Sequence, residues 1–544
     1  MRVLLSASER QPALLVFEDV DRYDRPSQEL LLRLTEGRDH QRLRVLVSNG
    51  PAFAERWPPS VARVDLGPLG DDALGALADH LRKHANEALP DETELAKCTN
   101  RLPGCVAQLA RFVVEGGSVD TAPRSVADLI AARLEQLPRA GLILCQAAAV
   151  LGCETSRRLL EQTASDHLDP GEIDEAVALL AARGLLAVDD PAILFNREIV
   201  RKVVYEATPA NVRRDLHAAA LRALRGTGAD AAVLGHHHER ADDLIEAADL
   251  LSRAGDDAVY QFDDVGACAL YQRALVAARK SLLASADDSS RIRFVTISIK
   301  LSDALRVGGE LGLARGVVDE AMGHCSGAPT LEAQLLRASG HLSLTEGDTE
   351  NAIATVRRAI GHAIPAGQTD MLSELYLDLS SMYLRNGQPG SARDELEEGI
   401  DLATLGEGAA AEAGPHTLWR MLLRLAQLCD SHGEPERSRS LAVSALRHAR
   451  RVHSRLGTAR VQATLATLYE NDGNAVKAER YRQAAVDEMR RLGDRRGTAE
   501  LLLAGSGPTR RLLRITPASL REARELAAEV GWTEGVERAK PNID

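Results

Sequence analysis

The apolar run Ala13–Leu14–Leu15–Val16–Phe17 ends directly in Glu18–Asp19, with further acids at Asp21 and Asp24. Paired carboxylates at the end of a short buried strand suit phosphoryl transfer, where one holds a divalent cation and the other polarises an attacking water. Glu18 and Asp19 are therefore the candidate catalytic and magnesium-binding residues, provided that something else holds the phosphates. A GxxxxGK[ST] loop would do so with backbone amides and a lysine, but it occurs nowhere in the 544 residues.

Two other groups of residues invite a chemical reading. His236–His237–His238–Glu239 could suggest a metal, but consecutive helical side chains diverge by about 100° and cannot share one ion as an i, i+4 pair can. Asp242 also stands where HExxH would need its second histidine. A structural helix is the better reading. From Arg437 to Arg460 there are seven arginines (437, 439, 447, 450, 451, 455, 460) and no acid, and Arg490, Arg491, Arg495, Arg496, Arg510, Arg511 and Arg514 follow. Such a run is either the solvated outer face of helices or a patch for an acidic partner. Arg447, Arg450, Arg451 and Arg455 are the candidate partner-binding residues. Without interleaved aromatics for base stacking, an acidic peptide suits them better than single-stranded nucleic acid. No nucleophile–base–acid constellation supports an independent enzyme.

The chain is 45% hydrophobic, 27% charged and only 3% aromatic, a profile suited to a mostly helical protein of several domains. Its net charge of −13 argues against nucleic acid or an anionic membrane as the main target. Seven scattered cysteines without a CxxC read as buried, reduced thiols of a cytoplasmic protein. No apolar run approaches the ~18 residues of a membrane span, and MRVLLSASERQP lacks the features of a signal peptide.

The elements that must position these residues change along the chain. ALLVF (13–17), RVLV (44–47) and VARVDL (61–66) predict three strands alternating with helices, the first covered on both faces. Residues 173–184, IDEAVALLAARG, predict a helix with Ile173, Val177 and Leu180 on one face and a stop at Gly184. LLAV and AILF, around DDP, predict a hairpin, and another helix begins near Glu198. Three helices and a hairpin give a winged-helix outline.

From about 240 to 500 the sequence repeats: a glycine, a small residue five on, another seven further. The copies are Gly309/Ala314/Ala321, Gly347/Ala352/Ala359, Gly387/Ala392/Gly399, Gly433/Ser438/Ala445 and Gly473/Ala478/Ala485, with Phe262/Ala267/Ala274 as a weaker opening one. Glycine ends the first helix of a hairpin and the small residues let the second approach it. Stacked hairpins of this kind make a solenoid of at least five repeats, expected to be right-handed.

Together these segments resemble the signal-transduction ATPases with numerous domains (STAND NTPases) that carry a winged helix and a tetratricopeptide-like array. The resemblance makes LLVFED the Walker B strand, SVADLIAARLEQLPRAGLILCQAAAVLG (125–152) the entry to the winged helix and FNREIVRKVVYEATPANVRRDLHAAALRAL (195–224) its close. In the last stretch Phe195, Arg201 and Tyr205 match the family's FRHxxxRxxxY, while Arg197 replaces its histidine. Elsewhere the chain departs. Gly50 stands where the family has arginine, and of its Gly-Asn-Pro motif only Pro103 remains in Arg101–Leu102–Pro103, which makes Pro103 a weak cofactor-binding candidate by resemblance.

The resemblance implies a mainly α protein in four parts. These are the C-terminal part of an AAA-like core with the Walker B strand (1–120), a winged-helix block (121–225), a tetratricopeptide-like α-solenoid (226–505) and a C-terminal helix and tail (506–544). It implies ATP and magnesium for the intact family protein and none for this chain alone. The chain then reads as the C-terminal part of a larger protein or as a degenerate relative. Regulation through a protein partner or small ligand in the solenoid groove is the expected role, with oligomerisation possible and neither membrane nor DNA expected as a target. Two alternatives remain: an ATP-hydrolysing module of a kinase- or cyclase-linked protein, and a STAND-type transcriptional regulator.

Overall fold

The computed structural model describes residues 13–23, 25–36, 43–83, 90–261, 263–325, 327–405, 416–504, 517–529 and 536. The N-terminal dodecapeptide, Asp24, Phe262, Arg510, Arg511 and Arg514, all singled out by sequence, lie outside the described residues. The chain is mainly α and divides into two compact units, 1–138 and 139–544.

In the first unit, β1 (Ala13–Phe17) pairs in parallel with β2 (Leu43–Val47), Ala13 opposite Leu43 and Phe17 opposite Val47. Phe17 and Val47 pack on Val20, Leu31, Leu34 and Phe53. Burial alternates along β1, so among the described residues the strand is covered on one face: Leu14 and Val16 are 64% and 54% exposed. This corrects the expectation of cover on both faces. The third expected strand does not form among the described residues. VARVDL has no ladder partner among the described residues, Val64 and Leu66 are exposed, and Arg63 Nε pairs instead with Asp65 at 2.7 Å. An extended segment without a neighbour leaves its backbone groups to water and cannot be a sheet strand.

The remaining helices of this unit, Asp71–Arg82, Glu92–Thr99, Pro103–Val114 and Val126–Glu135, close around Leu95, Leu109, Phe112 and Leu129. Arg133 is fully buried there. Its guanidinium meets Glu115 at 2.5 and 2.8 Å and Gln108 Oε1 at 2.5 Å, so the buried charge is both paired and hydrogen-bonded.

The second unit opens with the helix Arg139–Leu151, then β3 (Glu154–Ser156), helices Arg157–Ala164 and Pro170–Ala182, and the hairpin β4 (Leu186–Asp189) and β5 (Ala192–Phe195). The three strands form an antiparallel sheet in the order β3–β5–β4. Ile173, Val177 and Leu180 are buried as their spacing predicts, and Gly184 ends that helix at φ +62°. The expectation of buried cysteines holds for Cys105, Cys145, Cys325 and Cys429 but not for Cys98 and Cys268, which are half-buried, or for Cys153. Cys153 is exposed and bonds Glu198, because it lies just before β3 at a surface turn.

Beyond residue 240 the helices pair. The hairpins are Leu244–Tyr260 with Asp264–Ala284, Asp288–Val307 with Leu311–Met322, Pro329–Thr345 with Thr349–Ala363, and Thr369–Arg385 with Pro389–Leu405. Leu418–Ser431 with Pro435–Arg451 and Arg455–Asn471 with Ala475–Leu492 continue the series, followed by Arg495–Ala504 and Pro517–Glu529. Gly309, Gly347, Gly387, Gly433 and Gly473 all adopt φ between +69° and +90°, the left-handed turn that glycine allows without strain. Ala314, Ala321, Ala352, Ala359, Ala392, Ser438, Ala445, Ala478 and Ala485 are all fully buried where the helices meet. At Gly399 the approach is closer still: a Cβ there would lie 2.7 Å from Tyr376 Cγ. Gly399→Val should therefore force Tyr376 from a packed site and destabilise the chain by about 1–3 kcal/mol. A lower midpoint in urea unfolding of the full chain checks this.

Candidate functional site

The strand ends in the first unit are bound together by hydrogen bonds. The Asp19 amide donates to Ser48 Oγ (2.9 Å), Val20 N to the Ser48 carbonyl (2.9 Å) and Gly50 N to Asp21 Oδ1 (3.1 Å). Gln28, which the sequence reading passed over, donates through Nε2 to the carbonyls of Val20, Asp21 and Tyr23 at 3.1, 3.3 and 2.9 Å. Its own carbonyl accepts from Arg56 at 2.9 Å. This holds Glu18 and Asp19 exposed at the carboxyl end of β1, with Asp19 at φ +52°. A Cβ at Gly50 would come within 3.3 Å of the Asp21 carboxylate, so there is little room for a side chain at that position.

Donors for a triphosphate are not gathered around these acids among the described residues. Asp21 already accepts from a backbone amide, and no glycine-rich loop with a lysine faces it. Pro103 is exposed and opens the helix Pro103–Val114. Just before it, Arg101 adopts φ +59° and pairs with Asp71 at 2.8 Å.

The histidine run sits on the helix Ala231–Arg240 and meets a residue the sequence did not flag, His217. His217 Nδ1 lies 2.8 Å from His237 Nδ1, and its Nε2 lies 3.0 Å from the Tyr205 hydroxyl. His236 instead meets Arg273 Nη2 at 3.2 Å, and His238 meets Asp243 at 2.9 Å. Among the described residues no group of three His, Cys, Asp or Glu side chains is arranged for a metal ion. Burial, with the neighbouring charges of His237 and His236, lowers His217 to about 3; burial, with those of His236 and His238, lowers His237 to about 4.

The solenoid offers the larger site. Cavities open along one face, built mainly from the first helix of successive hairpins. One of about 450 Å³ is lined by Asp249, Ser252, Arg293 and Lys300, and one of about 530 Å³ by Lys300, Gln334, Arg337 and His341. One of about 720 Å³ lies between Leu377, Trp419, Leu423, Met489 and Leu501. The spacing explains the alignment: Arg420, Leu423, Arg424 and Gln427 recur at i, i+3, i+4 and i+7 on one stripe of a single helix. Near the first two cavities, charges neutralise one another between hairpins. Arg293 meets Asp249 at 2.7 Å, Lys300 meets Asp256 at 2.7 Å, and Arg337 meets both Asp378 (2.6 Å) and Glu374. Burial works to raise the Asp378 pKa, yet hydrogen bonds from His341 and Arg337 hold it below the usual carboxylate value.

Arg447, Arg450 and Arg451 lie on the second helix of their hairpin, exposed and away from these cavities. Arg447 donates to Ser444 at 3.0 Å, and Arg455 reaches Glu488 at 3.8 Å. Of the arginine run, Arg460 lines the cavity of about 720 Å³.

Comparison with known proteins adds little chemistry. No protein-family model and no curated protein matches the chain. Among solved structures it is similar to a signal transduction ATPase with numerous domains (STAND) protein with a tetratricopeptide repeat sensor from Pyrococcus horikoshii. That likeness has 14% identity and a TM-score of 0.49, over 99% of this chain and 77% of that chain. It is also similar to BtubC from P. vanneervenii, at 17% identity and TM-score 0.37 over 42% of this chain and 91% of that one. Aspartyl phosphate phosphatase F from Bacillus subtilis gives 10% identity and TM-score 0.33 over 78% and 96%. At these identities and scores no residue role passes from those proteins to this chain.

The buried histidines give a pH prediction. A histidine whose folded pKa lies below its unfolded value of about 6.5 stabilises the fold fully above that pH and progressively less below it. Stability should therefore fall from about pH 6.5 down towards pH 4, through His217 and His237. His217→Phe should flatten that part of the profile in denaturant titrations at several pH values.

Proposed function

We propose that this chain is a regulatory protein whose solenoid holds a partner on the face made by the first helices, in the manner of a STAND-type sensor. One observation carries the reading: cavities follow one another along that face, from Asp249 to Leu501, while the opposite helices pack with small residues. A scaffold of repeats with an open polar-and-apolar face suits recognition rather than chemistry.

The block 121–225 is read as a winged helix, supported by the order of helix, strand, two helices and hairpin from Arg139 to Phe195 within it. In the helix Pro170–Ala182, Asp174 is paired with Arg157, which leaves that end acidic to neutral and poorly suited to phosphates. A regulatory joint is the better role for it. The first unit is read as part of a nucleotide switch in which Glu18 and Asp19 would hold magnesium only beside a phosphate loop. ATP and magnesium belong to that complete switch.

Two measurements test this. A photo-crosslinking residue in place of Gln334 or Gln427 should yield a discrete partner adduct in cells, and one in place of Arg447 should not; adducts from Arg447 alone would sink the reading. A fluorescent ATP analogue with magnesium should show no saturable binding to the full chain. Saturable binding weakened by Glu18→Ala with Asp19→Ala would mean that phosphates are held without the loop.

A further inference from the structure

The cavity of about 720 Å³ holds four arginines, Arg420, Arg424, Arg460 and Arg496, and three acids, Asp378, Asp494 and Glu500. Each acid is already engaged. Asp378 is held by Arg337 and His341, Asp494 accepts from the Gly497 amide at 2.7 Å, and Glu500 pairs with Arg496 at 3.0 Å. The side chains of Arg420, Arg424 and Arg460 make no ion pair or hydrogen bond with any described residue. In a protein of net charge −13, three arginines thus converge on one cavity where Asp494, held by the Gly497 amide, is the one lining carboxylate not already paired with a cation, so positive charge is in excess.

The apolar lining sets the class of anion. The half-buried Ala463 and Leu501 share the cavity with the guanidinium groups, over a floor of buried Leu377, Leu423 and Met489, so a purely ionic ligand would leave apolar surface uncovered. The face continues into the cavities nearer the N-terminus, which favours an extended chain over a compact molecule. Nucleic acid is disfavoured because Trp419 is 8% exposed and occupied: a Cβ at Gly457 would lie 2.8 Å from its indole ring, so the ring offers no stacking platform. We infer that Arg420, Arg424 and Arg460 form the anchor of a binding site for an acidic peptide segment of a partner protein, its carboxylates on the guanidinium groups and its apolar side chains on the half-buried Ala463 and Leu501. This rests on the function proposed above and names the chemistry of the partner. Guanidinium forks match carboxylates bidentately, which gives such a site direction as well as charge.

The test is fluorescence anisotropy on the full chain with a labelled dodecapeptide of alternating glutamate and leucine. Its glutamine–leucine counterpart and an oligothymidylate of the same length serve as competitors. The acidic peptide should bind, and added salt should weaken it because exposed charges are screened. Arg420→Gln with Arg424→Gln, and separately Arg460→Gln, should each weaken it about tenfold or more, whereas Arg447→Gln with Arg450→Gln should change it little. All five positions are exposed to solvent or line the open cavity, so the variants should keep the wild-type melting curve. Equal binding of the glutamine peptide, tighter binding of the oligothymidylate, or an equal loss in the Arg447/Arg450 variant would each overturn the site. If the acidic peptide fails while Gln334 or Gln427 still captures a partner, this inference falls and the proposed function stands.

Discussion

The close approach of two helices within each hairpin is the constraint on which the solenoid depends. Helices can lie that near only where the facing residues are small, and the chain supplies alanine, serine or glycine at every such place from Ala267 to Ala485. Gly399 against Tyr376 shows the limit, since even one methyl group would collide. A glycine turn after the first helix of five of these hairpins returns the chain at a fixed angle, so successive hairpins stack in the same sense. The alignment of all first helices on one face follows, and with it the row of cavities.

Charge then differentiates a scaffold that geometry makes uniform. Arg279 with Glu320, Arg337 with Asp378, Arg393 with Glu434 and Arg437 with Glu397 are ion pairs about one repeat apart, each joining a hairpin to the next. Exposed pairs of this kind contribute little individually, about 0–1 kcal/mol. Their larger consequence is that they consume charge along most of the array. Where the partner acids run out, at the first helices that carry Arg420, Arg424 and Arg460, positive charge remains facing a cavity. The local excess arises from the placement of acids as much as from the number of arginines.

The first unit is governed by a different constraint. A parallel pair of strands has its functional groups at the carboxyl ends, and here those ends are fixed by Gln28 and Ser48. The carboxylates Glu18 and Asp19 are well placed and face solvent. Carboxylates alone bind neither a triphosphate nor, at useful strength, its metal, because the phosphate oxygens need donors and the ion needs several ligands at once.

Local pattern was legible in the sequence wherever the physics is local. The glycine–alanine repeat determined the hairpins, since a positive φ and a lack of side-chain volume are properties of single residues; the face of the helix Pro170–Ala182 followed in the same way from periodicity. VARVDL failed as a strand because a strand exists only with a neighbour, and no residue reports its neighbour. The histidine run was read correctly as diverging, yet His217, some twenty residues away, was invisible until two helices crossed. The arginine run shows the division most plainly. Sequence counted its charges, but only the tertiary structure decided that Arg447 and Arg450 face outward while Arg460 joins Arg420 and Arg424, because an unpaired charge is defined by what every other helix brings beside it.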